Sequence, residues 1–184
     1  MTEASSDPPP PAPNVHRSSD EPTTVTEFLD FFRAGLADQC GGMNIDQLNQ
    51  RLPGHPSELT LGGIMIHMAL VEDWWFHYRF AGEAELEPWA SAPFDQDRDW
   101  EFHTVTEWTP ESMTAQFHQS CDRSRAITAG ALATEAGLDS LSVREHDEGG
   151  HWNLRWIMVH MIEEYARHCG HADLLREAID GKRY

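Results

Sequence analysis

The segment WIMVHMIEEYARHCGHADLLRE, residues 156–177, carries His160, Glu164, His168 and His171 in a run otherwise apolar enough for burial. Four-residue steps on an α-helix rotate the side chain by only about 40° around the axis, so His160, Glu164 and His168 form one slowly turning ridge, with His171 three residues beyond. The ridge flanks Met161, Tyr165, Ala172 and Leu175, the positions expected to be buried, and therefore faces inward. A carboxylate and an imidazole four apart can reach one divalent ion from neighbouring turns. A third ligand must come from a facing helix, and His67 lies beside Ile64, Met68 and Val71 in LGGIMIHMALVEDWWFHYRFAG. The set His67, Glu164 and His168 offers two imidazoles and one carboxylate, which leaves coordination positions open and suits a reactive site better than a structural one. The same spacing fits plainer readings too: His67 as a hydrogen-bonded core histidine, and Glu164 with His168 as an i,i+4 surface pair.

Those residues need long helices to hold them. Val25, Phe28, Leu29, Phe32 and Leu36 recur at threes and fours, predicting a first helix from Thr23 to about Gln39, capped by Thr24 and ended by Gly41-Gly42. A turn-rich stretch with room for one helical turn precedes Pro53. Thr60 opens a second helix to Gly82, with Leu61, Ile64, Met65, Met68, Val71, Trp75 and Tyr78 on one side. Thr109-Pro110-Glu111 starts a third helix running to about Thr134, and Asn153 caps a fourth from Leu154 to about Ile179, stopped by Gly181. LSVREHDEGGHW, just before the fourth helix, alternates as a small hairpin does. The expected fold is an all-α four-helix bundle over 23–184.

Two stretches fall outside that plan. Residues 1–22 combine four consecutive prolines with Ser, Asp and Glu and read as a disordered tail. Residues 83–107 form a long acidic connection, of a length that is usually functional or a crossover. In it Asp95, Asp97, Asp99 and Glu101 read as a solvated stretch without the glycine and terminal glutamate of a calcium loop. The seven tryptophans read mainly as core or rim packing, with one able to line a substrate mouth.

A formal charge of −18 opposes binding to nucleic acid. No apolar run reaches the roughly 20 residues of a membrane span and no secretion signal is evident, so a soluble, cytoplasmic protein is expected. Cys40, Cys121 and Cys169 are odd in number and widely spaced, which suits reduced thiols rather than a disulfide framework or a thiolate metal site.

LGGIMIHMALVEDWWFHYRFAGE (61–83) and LRWIMVHMIEEYARHCGHADLLREAIDG (154–181) resemble the matching helices of the DinB-like superfamily, specifically its mostly actinobacterial branch of small mini-circle proteins. The resemblance spans roughly 23–181 and omits the proline-rich tail. It implies a four-helix bundle that holds a divalent metal by three side chains, one from the second helix and two from the fourth. Many such proteins use three histidines; the mycothiol-dependent maleylpyruvate isomerase branch has Glu followed by His four later, the pattern of Glu164 and His168 with His67 opposite. Relatives use low-molecular-weight thiols such as mycothiol, bacillithiol or glutathione, and others are the N-terminal domains of iron-dependent sulfoxide synthases.

The resemblance thus implies a thiol S-transferase or isomerase acting on an electrophilic small molecule, with zinc or nickel as the metal and iron as the alternative. His160 and His171 are the candidate catalytic acid/base groups or partners that orient a ligand, and Arg155 and Arg176 are candidates to contact an anionic group of the thiol cofactor. Glu163 and Arg167, one position off the ridge, are expected in an interhelical pair or on the surface. Two rivals share the site: oxygen chemistry at a non-haem iron, and a non-catalytic bundle in which the ion only joins two helices. Homodimerisation through bundle faces occurs among relatives and is compatible with the chain.

Overall fold

The computed structural model describes residues 13–183. The four-proline run lies outside the described residues. Helix α1 spans Glu21–Cys40, with Asp20 as its cap accepting from the Thr23 amide. The cap is therefore Asp20 and not Thr24, whose own N–H already donates to the Asp20 carbonyl at 2.9 Å. Upstream of α1, His16 folds back so that its amide and Nδ1 meet the Glu27 carboxylate at 2.8 and 2.7 Å. Part of the stretch read as tail thus packs on the first helix.

After a single turn, α2 (Ile45–Leu48), the Thr60 hydroxyl caps α3 (Leu61–Glu72) by accepting from the Gly63 amide. The expected second helix is one rod of two kinds: α3 passes directly into a π-helical stretch, Asp73–Phe80. The wider π turn is uncommon and changes which side chains face which neighbour. Helix α5 spans Pro110–Leu132 behind a reciprocal Thr109–Ser112 cap, and α6 spans Leu154–Asp180 between the Asn153 cap and a left-handed Gly181. Between them, β1 (Leu141–Glu145) and β2 (His151–Asn153) form the anticipated antiparallel hairpin. Helix α1 packs along α6, and α3 along α5, closing an all-α bundle around Leu29, Ile64, Met68, Phe76, Phe117 and Tyr165.

The connection at 83–107 is more ordered than its composition suggests. It contains 3₁₀ turns at Trp89–Ser91 and Val105–Glu107 and a helical turn α4, Trp100–His103. It lies directly on α3 because α3 presents two glycines there. A Cβ on Gly62 would stand 2.7 Å from Val105 Cγ1, and one on Gly63 would stand 2.8 Å from Phe102 Cδ1. Any larger residue at these positions would push α4 away from α3.

At the bundle centre Glu72 is fully buried, and its carboxylate accepts from Arg33 Nε and Nη2, both at 2.7 Å, and from the Tyr165 hydroxyl at 2.7 Å. Burial opposes the Arg33 charge, but Glu72 beside it more than offsets this and holds the guanidinium protonated well above its usual range. The next residue, Asp73, accepts from Arg123, Ser120 and the Trp89 indole, tying the start of the π stretch to α5 and to the 83–107 connection. A buried ion pair gains little over an apolar replacement of the same shape, yet removing one partner strands the other charge. Arg33→Met is therefore expected to cost about 3–5 kcal/mol and Tyr165→Phe about 2 kcal/mol, both read by urea unfolding.

Candidate metal centre

Helix α6 contributes Glu164 and His168, four residues apart, and α3 contributes His67. One donor atom from each lies within 4.8 Å of the others. The rings of His67 and His168 have centroids 5.0 Å apart, and His168 Nε2 stands 3.7 Å from Glu164 Oε2. Glu164 Oε1 stands 3.7 Å from His160 Nε2. These separations exceed hydrogen-bond length, so the carboxylate is surrounded by imidazoles without being bonded to them. A cation bridging the three side chains suits that arrangement, and the donor set of two imidazoles and one carboxylate suits zinc, nickel or iron.

The state of His168 fits the same role. It is 8% exposed, and its Nδ1 is buried without a hydrogen-bond partner. Burial, with His67, His171 and Arg167 adding to it, lowers its pKa to about 4. The ring is therefore neutral at pH 7, the form in which imidazole donates a lone pair to a metal.

His67 is held by the segment whose acids were expected to be solvated. Glu101 on α4 is 4% exposed, and its Oε1 lies 2.9 Å from His67 Nδ1. This corrects the reading of Glu101. A carboxylate only accepts, so the imidazole proton sits on Nδ1 and Nε2 is left with its lone pair for a cation, the carboxylate–histidine–metal pattern that fixes tautomer and ring angle. The Phe102 ring stacks on His67 at 5.0 Å and 28°, fixing the imidazole from its face. Gly63 makes room for this residue, so a small-residue pair in the helix and a charged residue in the loop serve one purpose. The signal in the sequence was Gly62-Gly63 inside an otherwise bulky helix.

His160 stands at the edge of the cluster, stacked on Trp156 at 5.0 Å and 22° and edge-on to Trp75 at 5.0 Å. Its Nδ1 is 3.6 Å from Glu163 Oε2, so His160, Glu163 and Glu164 make a second acidic–imidazole group. Glu163 is exposed and already paired with Arg167, which makes it the weaker ligand set. His171 adjoins His168, ring centroids 5.5 Å apart, with its Nδ1 buried and unpartnered.

The two arginines are placed elsewhere. Arg155 bonds Glu21 and Asp139, and Arg176 bonds the carbonyls of Gln39 and Gly41 together with Asp180. The donors of Arg155 join α6 to α1 and to the 3₁₀ turn at Gly137–Asp139, and those of Arg176 join it to the end of α1 and to its own C-terminal turn. The three cysteines are free and buried. Burial, with Cys169 adding to it, raises the Cys40 thiol to about 12, and burial with Asp173 raises Cys169 likewise to about 12; Cys121, buried beside Glu72, is pushed higher still. At neutral pH none of them is a thiolate, so the protein's own sulfurs are poor nucleophiles.

The sequence profile of the mycothiol-S-transferase family matches residues 24–181. The chain belongs to that family. The match covers three of the four long helices in full, all but the first three residues of α1, and both parts of the candidate centre, and it makes a low-molecular-weight thiol the expected reactant. No curated protein gives a significant match to the chain. No helix among the described residues is long and apolar enough to cross a membrane.

Two outcomes follow for the centre itself. Glu101→Gln keeps the size of the side chain but weakens its hold on His67 Nδ1–H, and is expected to lower zinc affinity by about 10–100-fold, measured by competition against a chromophoric chelator. In metal-free protein, an unfolded His168 takes up a proton near its ordinary 6.5, whereas the folded one resists until about 4. Stability from this group is thus complete above about pH 6.5 and lost as pH falls toward 4, by about 3 kcal/mol at most. His168→Asn should flatten that part of the stability–pH curve measured by chemical unfolding.

Proposed function

We propose that the protein is a divalent-metal-dependent S-transferase that joins a low-molecular-weight thiol of the mycothiol type to an electrophilic small molecule. The observation that carries this reading is the convergence of His67, Glu164 and His168 on one point in a chain of the mycothiol-S-transferase family. A cation held there supplies Lewis-acid chemistry that favours thiolate over thiol at neutral pH. His67, aligned by Glu101 and Phe102, and His168, kept neutral by burial, would hold it from two helices, and Glu164 would offset part of its charge.

His160 is the best-placed base. It touches Glu164 on one side and the exposed tryptophan rim on the other, so it can take the S–H proton as sulfur bonds to the electrophilic carbon and return it to the departing group. For an addition without a leaving group, the same proton goes to the carbon skeleton. His171, beside His168, is the alternative proton acceptor. That all three cysteines are buried and protonated supports a thiol brought from outside over a protein nucleophile. Zinc or nickel fits this use of the site better than iron, because thiol transfer requires no change of oxidation state.

The test is S-conjugate formation from mycothiol and a chromogenic aryl halide. Chelation, or His168→Ala, is expected to reduce the rate by at least about a hundredfold, with zinc or nickel restoring the wild type and not the variant. Undiminished turnover after complete metal removal would contradict the proposal, and a stability loss on metal removal in a protein with no thiol affinity would favour a purely structural ion.

A further inference from the structure

Glu164 stands between two imidazoles. Its Oε2 faces His168 Nε2 and its Oε1 faces His160 Nε2, each at 3.7 Å. A carboxylate whose oxygens are turned toward different imidazoles is placed as a bridging ligand, because an ion held through one oxygen leaves the lone pairs of the other for a second ion. Oε1 also faces a complete donor set. One turn of α6 brings His160, Glu163 and Glu164 to the same side of the helix, and one donor atom from each lies within 4.8 Å of the others.

The histidine of this set is held in position from outside it. Trp156 stacks on the His160 ring at 22°, and Trp75 meets it edge-on at 76°, so the plane of the imidazole is fixed by two indoles. With the ring in that plane, Nδ1 looks onto Glu163 Oε2 at 3.6 Å while Nε2 looks onto Glu164 Oε1. Both separations exceed hydrogen-bond length, which is the spacing also found between His168 and Glu164 in the first centre. Two carboxylates and one oriented imidazole, with no hydrogen bonds among them, suit a divalent cation.

We infer that His160, Glu163 and Glu164 form a second divalent-cation site, weaker than the first, whose occupation withdraws His160 from proton transfer and so makes excess metal an inhibitor. Its weakness follows from its construction. All three donors come from one helix, Glu163 is exposed and shared with Arg167, and an ion at the first centre repels another beside it. The inhibition follows from imidazole chemistry. A neutral imidazole has one basic lone pair, and once that pair is given to a cation none is left to accept an S–H proton. The inhibitory consequence rests on the thiol-transfer reading, whereas the second ion can be detected without any transfer.

The probe is zinc, titrated into the metal-free full chain in competition with a chromophoric chelator. Two equivalents are expected, the second weaker than the first. Glu163→Gln, which keeps the size of the side chain, is expected to weaken the second step by at least about tenfold and to spare the first. Arg167→Ala releases Glu163 from its exposed partner and is expected to tighten the second step by about twofold. Excess zinc should slow S-transfer by about a hundredfold in the wild type, and Glu163→Gln should shift that inhibition to higher zinc. A single bound equivalent, or a second one indifferent to both substitutions and therefore held by other surface acids, would overturn the site. Two bound equivalents without any slowing would overturn its inhibitory role. Protein that binds both ions as expected but forms no S-conjugate would refute the transferase reading and leave the second site standing.

Discussion

The structure depends on one buried carboxylate. Glu72 receives Arg33 from α1 and Tyr165 from α6 while standing at the end of α3, so three of the four long helices meet on its two oxygens. Charged and hydrogen-bonded contacts of this kind have narrow geometric tolerance, whereas the surrounding Leu, Met and Phe side chains could pack in several registers. Tyr165 immediately follows Glu164 and lies three residues before His168; Glu72 lies five residues after His67. Setting Tyr165 on Glu72 therefore also sets the facing register of the three candidate ligands. Asp73 then anchors the π stretch through α5, directing Trp75 toward His160 and Arg79 toward Trp152.

From that constraint the centre acquires an asymmetric environment. On one side α4, admitted by Gly62 and Gly63, places Glu101 and Phe102 on His67; on the other, Trp75, Trp156 and His160 make an aromatic approach to Glu164. The closed side suits the holding of a ligand and the open side suits entry of a reactant. The long acidic connection thereby gains a structural reason: one of its carboxylates, Glu101, stands in the interior against His67, while Asp97 is half-buried and pairs with His103.

Much of this was legible in the sequence because helix periodicity is a local signal. The fourth helix and its cap, the inward ridge of His160, Glu164 and His168, and the hairpin before it all followed from spacing and capping chemistry. His67 followed from its place on the apolar side of the second helix, and the resemblance to the DinB-like superfamily added weight to it. What stayed hidden was non-local. Nothing in the acidic string around Glu101 distinguishes the one residue that is buried, because its burial is decided by Gly63 about forty positions away. The π stretch looked helical, and was, but its wider turn has no compositional mark that separates it from an α-helix. Nor does the sequence reveal that surface acids pair with Arg155, or that backbone carbonyls and Asp180 pair with Arg176.

The central claim is that His67, Glu164 and His168 together hold a divalent ion that an incoming thiol can reach. X-ray absorption of zinc-loaded protein, before and after addition of mycothiol, tests it most directly. The account predicts a shell of nitrogen and oxygen donors with two imidazoles, joined by one sulfur scatterer when the thiol is added. A shell that lacks imidazoles, or one that does not change at saturating thiol, would contradict it.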